Sequence, residues 1–183
     1  MSLMHAILGF LSDQPQTGYD LKTERFDESV AHFWPADQAQ IYRTLEKLAE
    51  QGLVESHVEI QEGRPNRKVY QITEAGRAEL AQWLRTYQPI PAYREPFLIQ
   101  LFFADILPNE TILRLLQAQF EAHESLLKRY QQIAIPRPDE MPDVKAQRQV
   151  SLQQITLDIG IRVEQQYMDW LRQAMETVRH LPE

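Results

Sequence analysis

The stretch that most constrains this chain is an amphipathic helix predicted to begin after Asp37 and to end at Gly52. Asp37 can cap the first turn, and Gln40, three residues later, completes the spacing of a capping box. Large aliphatic residues recur at helical spacing at Ile41, Leu45 and Leu48. One face of the helix must therefore pack into a core. Glycine supplies the left-handed conformation that ends many helices, and beyond Gly52 the apolar period changes to two.

The polar face of this helix carries side chains that suit DNA. Glutamine and arginine can pair with adenine and guanine edges in the major groove, while tyrosine suits phosphates. We therefore name Gln38, Gln40 and Arg43 as candidates for reading bases, and Tyr42 as a candidate for contacting the DNA backbone. Taken alone, the helix is more typical of an ordinary amphipathic helix with a solvated face, so the prediction of DNA binding depends on the elements that surround it.

Two predicted strands follow the helix. Apolar and polar residues alternate from Val54 to Ile60, which is typical of a half-buried strand. Residues 62–66 have turn chemistry, and residues 67–72 form the second strand, with Tyr70 and Ile72 on one face. A hairpin results, and its tip is the most basic part of the first half of the chain. Its polar candidates for DNA contact are Arg64, Asn66, Arg67 and Lys68.

Two shorter helices are predicted before the long amphipathic helix, and one helix is predicted after the hairpin. The apolar run from Met4 to Leu11 forms the first, and Thr17 can cap a second, on which Tyr19 and Lys22 are candidates for contacting DNA phosphates. Thr73 can cap the helix that follows the hairpin. Three helices followed by a basic hairpin correspond to a winged helix-turn-helix, and we assign it to residues 1–88.

These residues also carry a resemblance to a known family. The motifs are Thr17-Gly18-Tyr19-Asp20-Leu21, Gln40-Ile41-Tyr42, Glu50-Gln51-Gly52-Leu53-Val54 and Tyr70-Gln71-Ile72-Thr73-Glu74-Ala75-Gly76. Together they resemble the PadR-type transcriptional regulators, relatives of the phenolic-acid decarboxylase repressors. The chain departs from the family pattern at Asp37 and Ala39, where many members have Ser and Gly, and at Arg43, where many have Pro. We expect Arg43 to supply a contact that proline cannot.

Residues 89–183 are predicted to form a second, helical domain. The proline-containing segment 88–96 separates it from the first, and helices are expected from Pro96, from 109 to 132, and from about Asp143 onward. The region resembles the C-terminal part of larger PadR-like regulators, especially at 97–105, and the resemblance implies that it holds two subunits together. The whole chain is thus expected to be mainly α-helical, with a small β-hairpin wing.

The last helix carries a long apolar stripe that needs a cover. A second copy of the chain is an economical cover, and packing against the two preceding helices is the alternative. Trp170 lies on this stripe and is the best candidate to line a pocket for a flat aromatic effector, a role suggested by the ligands of the family. Core or interface packing is the alternative for Trp170. The predicted dimerisation residues are Ile155, Ile159, Val163, Tyr167, Trp170 and Ala174.

Composition argues against several other classes of protein. The chain has no cysteine, and its five histidines show no paired spacing, so we expect neither a metal site nor a cofactor. It contains neither a glycine-rich phosphate loop nor a Gly-x-Ser-x-Gly motif, so we predict no catalytic residues and no enzyme. No apolar run is long enough to cross a membrane, and no export signal is evident, which leads us to expect a cytoplasmic protein.

The sequence therefore predicts a homodimeric regulator that binds double-stranded DNA at specific sites, most simply a repressor released by a small aromatic effector. A winged-helix module that binds proteins and not DNA is the alternative. The formal net charge of −7 favours that alternative, since a general DNA-binding surface is basic. The basic wing opposes it.

Overall fold

The structure, a computed structural model, describes residues 2–60, 63 and 66–182. Its contacts divide the chain into two compact units, with the boundary between Ile90 and Pro91. The first unit contains helix α1 (Ser2–Leu11), strand β1 (Gln16–Thr17) and helix α2 (Gly18–Asp20), which continues as a π-helical segment, Leu21–Val30. Helix α3 (Gln38–Glu50), strands β2 (Val54–Glu59) and β3 (Arg67–Ile72), and helix α4 (Glu74–Arg85) follow. The predicted fold class, mainly helical with a small β-wing, is confirmed.

Helix α3 has the ends that its sequence predicts. The Asp37 carboxylate accepts a hydrogen bond from the Gln40 backbone N–H at 2.7 Å, and the Gln40 side-chain oxygen accepts one from the Asp37 backbone N–H at 3.1 Å. Gly52, with φ of +68°, terminates the helix. The apolar face of α3 is fully buried in the core of the first unit. That core consists of Ile7, Leu8, Leu11, Leu21, Phe26, Ala36, Ile41, Leu45, Leu48, Val54, Tyr70 and Ile72.

Helices α2 and α3 approach each other closely at Gly18. A Cβ atom added to Gly18 would lie 2.6 Å from Cε1 of the Tyr42 ring, so any larger residue at this position would require the ring to move. Thr17 and Asp20 form a second capping box at the same place, because the Thr17 hydroxyl accepts from the Asp20 N–H and the Asp20 carboxylate accepts from the Thr17 N–H. The start of α2 is therefore fixed against the middle of α3.

The wing is less buried than its sequence pattern predicts. Within the described residues the sheet order is β1-β3-β2, with β3 antiparallel to both neighbours and Val54 opposite Ile72. Strand β3 buries Tyr70 and Ile72 as expected, but Val58 and Ile60 are 60% and 86% exposed. Val54 is the buried residue of β2 and the rest of the strand is exposed, so the predicted alternation of burial does not extend along it. The pairing of β1 with β3 was not predicted, because two residues are too few to show a period.

The second unit is a set of helices with its own core. Helix α5 (Pro96–Phe102) starts with a proline in its first turn, α6 spans Asn109–Gln131 and α7 spans Val144–Arg179, with Asp143 as its N-cap. Helix α5 ends before a short 3-10 turn at Ala104–Ile106. Buried residues of the core are Phe97, Ala104, Ile112, Leu116, Leu171, Met175 and Val178.

The apolar stripe of α7 divides into two parts. Tyr167, Trp170 and Ala174 pack against the core of the second unit. Ile155, Ile159 and Val163, by contrast, are 65%, 59% and 50% exposed. The face that packs inward over that stretch is a different one, which includes Val150, Leu157 and Glu164. Three large branched aliphatic residues therefore remain uncovered in the single chain.

Candidate nucleic-acid interface and ligand cavity

The polar face of α3 is exposed and carries free positive charge. Gln38, Gln40, Arg43 and Lys47 all lie on the surface. Among the side chains that the structure describes, no carboxylate forms an ion pair with Arg43 or Lys47. Elsewhere in the first unit, Lys22, Arg25 and Arg67 all have acidic partners. The helix predicted to read DNA thus presents cations that are not already neutralised.

Gln40 and Tyr42 both have structural roles as well. The Gln40 side-chain oxygen is occupied by the capping box, which leaves its amide N–H groups for an external acceptor such as adenine N7. Tyr42 is half-buried with its ring against Gly18, so only part of its side chain faces outward. These two contacts orient the side chains before any ligand arrives.

A cleft flanks α3 on the side of Trp34. It has a volume of about 440 Å³ and is lined by Leu3, Trp34, Pro35, Gln40, Arg43, Thr44 and Lys47. Gln40 and Thr44 are four residues apart, as are Arg43 and Lys47, so the four side chains share one side of α3. Arg43 and Lys47 therefore lie beside a partly exposed indole.

The candidates on α2 are placed differently from one another. Tyr19 is exposed, and its backbone carbonyl accepts a hydrogen bond from the Thr23 hydroxyl at 3.1 Å. The Lys22 ammonium forms an ion pair with Asp27. A phosphate would have to compete with that carboxylate for Lys22, so Tyr19 is the freer of the two.

Arg67 is attached to the helix-turn-helix and does not project from the hairpin tip. Its guanidinium donates to Asp20 Oδ2 at 2.6 Å, and Asp20 also belongs to the capping box of α2. Lys68 lies 5.1 Å from the centre of the Tyr70 ring, and Asn66 precedes the strand in an exposed position. Arg64, the remaining predicted wing residue, lies outside the described residues.

Sequence reasoning missed Asp20. The spacing Thr17-x-x-Asp20 is a recognisable capping signal, but nothing local indicates a partner 47 residues further along the chain. The same carboxylate thus fixes the start of α2 and the base of β3.

In the second unit, Trp170 lines a cavity of about 510 Å³ together with Leu98, Val163, Gln166 and Tyr167. The Trp170 ring meets the Tyr167 ring edge to face, with 5.3 Å between the ring centres. Tyr167 also stacks on His123 at 4.0 Å, and His123 Nδ1 lies 2.5 Å from Glu164 Oε2. Burial, assisted by Tyr93, Glu95 and Glu164, raises the pKa of Tyr167 to about 12, so its hydroxyl keeps its proton near neutral pH. The cavity therefore combines aromatic walls with a hydrogen-bonding hydroxyl.

Two further observations bear on the class of protein. Within the described ranges, no group of three or more His, Asp or Glu side chains is arranged to hold a metal ion. Across residues 2–60, 63 and 66–182, no helix combines the length and the apolar character required to span a bilayer.

Comparison with known proteins finds relatives along almost the whole chain. Residues 7–82 match the Transcriptional regulator PadR-like family, and residues 93–179 match the Virulence activator alpha C-term family. The chain is 31% identical to the probable transcriptional regulator Rv1176c of Mycobacterium tuberculosis, with 98% of each protein covered. It is 28% identical to the negative transcriptional regulator PadR of Bacillus subtilis, covering 96% of this chain and 97% of that protein.

Solved structures give the same result. Bacillus subtilis PadR in complex with operator DNA has a TM-score of 0.80 at 27% identity, covering 97% of this chain and 99% of that chain. The complex of that protein with p-coumaric acid has a TM-score of 0.78 at 26% identity, covering 98% of this chain and 100% of that chain. The Vibrio cholerae virulence activator AphA has a TM-score of 0.77 at 31% identity, covering 97% of this chain and 98% of that chain. The chain belongs to the PadR-like family, whose members are transcriptional regulators and not enzymes.

Proposed function

We propose that this protein is a homodimeric repressor that binds an operator through α3 and the wing, and that an aromatic effector bound beside Trp170 releases it. The observation that carries the DNA-binding part is the exposed polar face of α3, with Arg43 and Lys47 lacking carboxylate partners among the described residues. The similarity to PadR in complex with operator DNA supports it. A regulator of chromosomal genes works where the chromosome is, so the proposal places the protein in the cytoplasm.

The acidic balance of the chain does not oppose this proposal. The negative formal charge is spread over both units, whereas binding to one operator requires only that a few cations converge on one face. Arg43 and Lys47 share a side of α3, and two carboxylates of the same unit, Asp20 and Asp27, are paired with Arg67 and Lys22. We therefore expect modest affinity for arbitrary DNA and high affinity for the operator.

The proposal also states the direction of regulation, which is repression. The similarity to a negative regulator supports repression, while the similarity to AphA, named as a virulence activator, shows that the same architecture occurs with the opposite effect. A dimer that covers a promoter excludes the polymerase, so the position of the operator decides whether the protein represses or activates transcription. Transcription from the promoter next to the operator should fall when purified protein is added, and a rise would show activation instead.

The direct experiment is to capture fragments of the organism's own genome on the purified protein and to sequence them. One or a few short palindromic sites should be enriched, because a twofold-symmetric dimer matches a palindrome. Binding to the best site should weaken steeply with salt, as expected when phosphate contacts release counterions. Recovery of random fragments, or of none, would favour the protein-binding alternative.

The wing is expected to contribute phosphate contacts and no base reading. Replacing Lys68 with alanine should weaken binding to operator and scrambled duplexes alike, and should reduce the slope of log affinity against log salt by about one unit. Arg67→Ala should reduce the salt slope less, because Asp20 already pairs with Arg67, and should lower stability, because it leaves Asp20 without this partner. A change in base preference in Lys68→Ala would contradict this role.

The effector site is expected at Trp170. A planar aromatic compound that fits the cavity of about 510 Å³ should change the fluorescence of Trp170 and weaken operator binding. Release requires that the compound bind the DNA-free conformation more tightly than the DNA-bound one. Trp170→Ala should remove the effect of the compound on operator binding and the affinity for the compound measured by calorimetry, while operator binding without the compound persists. If calorimetric binding and release from the operator both survive in Trp170→Ala, the effector binds elsewhere.

A further inference from the structure

We infer that the cavity beside Trp170 selects an aromatic cation, such as an aryl-alkyl ammonium, over an aromatic carboxylate. The inference rests on the proposed effector site and adds to it the charge of the ligand. It is carried by the side chains that line and surround the cavity. All of them lie in the second unit.

The walls of the cavity suit a flat ring. Trp170 and Tyr167 meet at 79° between ring planes, so the two rings border this open cavity at different angles. Leu98 and Val163 supply apolar contacts, and Gln166 is the other polar residue on the wall. The volume of about 510 Å³ lies within the range of small-molecule sites. Indole and phenol faces attract cations as well as other rings.

The charges behind these walls are negative. Glu164 is only 8% exposed and contacts His123, which stacks on Tyr167 from the side of α6. Glu95 lies one turn before Leu98, whose backbone N–H donates to the Glu95 carbonyl at 3.1 Å. The charged groups that raise the pKa of Tyr167, after burial itself, include Glu95 and Glu164. Glu164 has His123 as a partner, whereas no ion pair joins Glu95 to a cationic side chain among the described residues.

No positive side chain lines the cavity among the described residues that form it. The arginines nearest in sequence on α7 are engaged elsewhere: Arg162 donates to Asp158 at 2.6 Å, and Arg172 donates to Asp169 at 2.6 Å and lies over the Phe120 ring. A carboxylate that entered the cavity would lose hydrating water without forming an ion pair there, and this desolvation is unfavourable for binding. An ammonium group would lie between aromatic faces with carboxylates behind them.

The test compares two phenols of similar length and opposite charge. Calorimetric titration of the full-length protein with tyramine and with 3-(4-hydroxyphenyl)propionate should show tyramine binding about tenfold more tightly. Glu95→Gln should reduce this preference several-fold, since the amide keeps the oxygen that accepts from the Phe97 N–H at 3.2 Å but removes the charge. Glu110→Gln, the same change at an exposed site on α6, is the matched control and should leave the preference intact.

The outcomes separate this inference from the proposed function. Equal or tighter binding of the carboxylate, binding of neither probe, or a tyramine preference unchanged in Glu95→Gln would overturn the inference. Trp170→Ala should abolish tyramine binding, and because Glu95→Gln alters a partly exposed residue, the charge test stands even if Trp170→Ala fails to fold. Operator binding by the ligand-free protein is measured on the same preparation. If the ligand-free protein does not bind the operator, the proposed function is overturned, whereas the measured charge preference of the cavity still stands.

Discussion

Replacing Ile159 and Val163 together with aspartate is expected to give a folded monomer that binds the operator at least about a hundredfold more weakly than the natural protein. The magnitude follows from the effective concentration that one bound subunit gives to the other, which is worth a factor on the order of 100 to 10,000. Breaking the dimer removes this advantage without touching α3 or the wing.

The structure makes this variant a sharp test. Ile159 and Val163 are 59% and 50% exposed in the single chain, so aspartate there replaces few contacts within the unit. The inward face of α7, which includes Leu157 and Glu164, is left unchanged. In a dimer, the same two substitutions place unpaired charges in a dry contact and cost several kcal/mol, on the order of 3–5 each. The monomer should therefore tolerate what the dimer cannot.

Sedimentation equilibrium gives the mass, and circular dichroism shows whether the helices remain. The matched control is the pair Gln131→Asp and Gln165→Asp, which adds the same charge at exposed polar positions and should leave a dimer. A double variant of Ile159 and Val163 that sediments as a folded dimer would place the interface elsewhere. The exposed aromatic surface of Phe102 and Phe103 at the end of α5 would then be the next candidate interface.

The sequence was informative wherever a local rule determines the structure. Asp37, Thr73 and Asp143 were each expected at the start of a helix, and each accepts a hydrogen bond from a backbone N–H of the first turn. Gly52 and Pro96 likewise stand where a helix ends and begins. Caps and breakers act within three or four residues, so their effect can be read without knowing the fold.

What the sequence could not show depends on distant parts of the chain. The π-helical hydrogen bonding of Leu21–Val30 has no recognised local signal. Burial of β2 was overestimated, because alternation reveals which residues share a face but not how far the covering helices extend. The pairs Arg67–Asp20 and His123–Glu164 join residues 47 and 41 positions apart, and one sequence gives no means of finding such partners.

The roles of the DNA-contact candidates also depend on packing that the sequence alone does not show. Gln40 was expected both to cap α3 and to read a base, and the structure shows the capping bond directly. Tyr42 was assigned to phosphates from its residue type alone, but its ring is the surface against which Gly18 packs. Residue type indicated what these side chains can bind, whereas the packing determines which of their atoms remain free to do so.

The second large loss of operator binding is expected from substitutions at Arg43 and Gln40, two of the candidates for reading bases. Arg43 is exposed and has no described carboxylate partner, so Arg43→Ala should leave stability almost unchanged. If Arg43 forms a bidentate pair with a guanine, its loss should cost about 1–3 kcal/mol of operator binding, roughly a 5- to 150-fold loss, and relax preference at one base pair. Competition with duplexes substituted at each position would locate that base pair.

Gln40→Glu separates capping from DNA binding. Glutamate keeps an oxygen that can accept from the Asp37 N–H, and its charge is favourable near the start of a helix, so the melting temperature should stay level or rise. The same change removes the amide donor and brings negative charge toward the DNA, so operator binding should fall by roughly tenfold or more. Gln82→Glu, an exposed site on α4, adds equal charge and should change neither property appreciably. If Gln40→Glu leaves operator affinity and base preference intact, Gln40 serves only as a cap, and Gln38 and Arg43 remain as the base-reading candidates on α3.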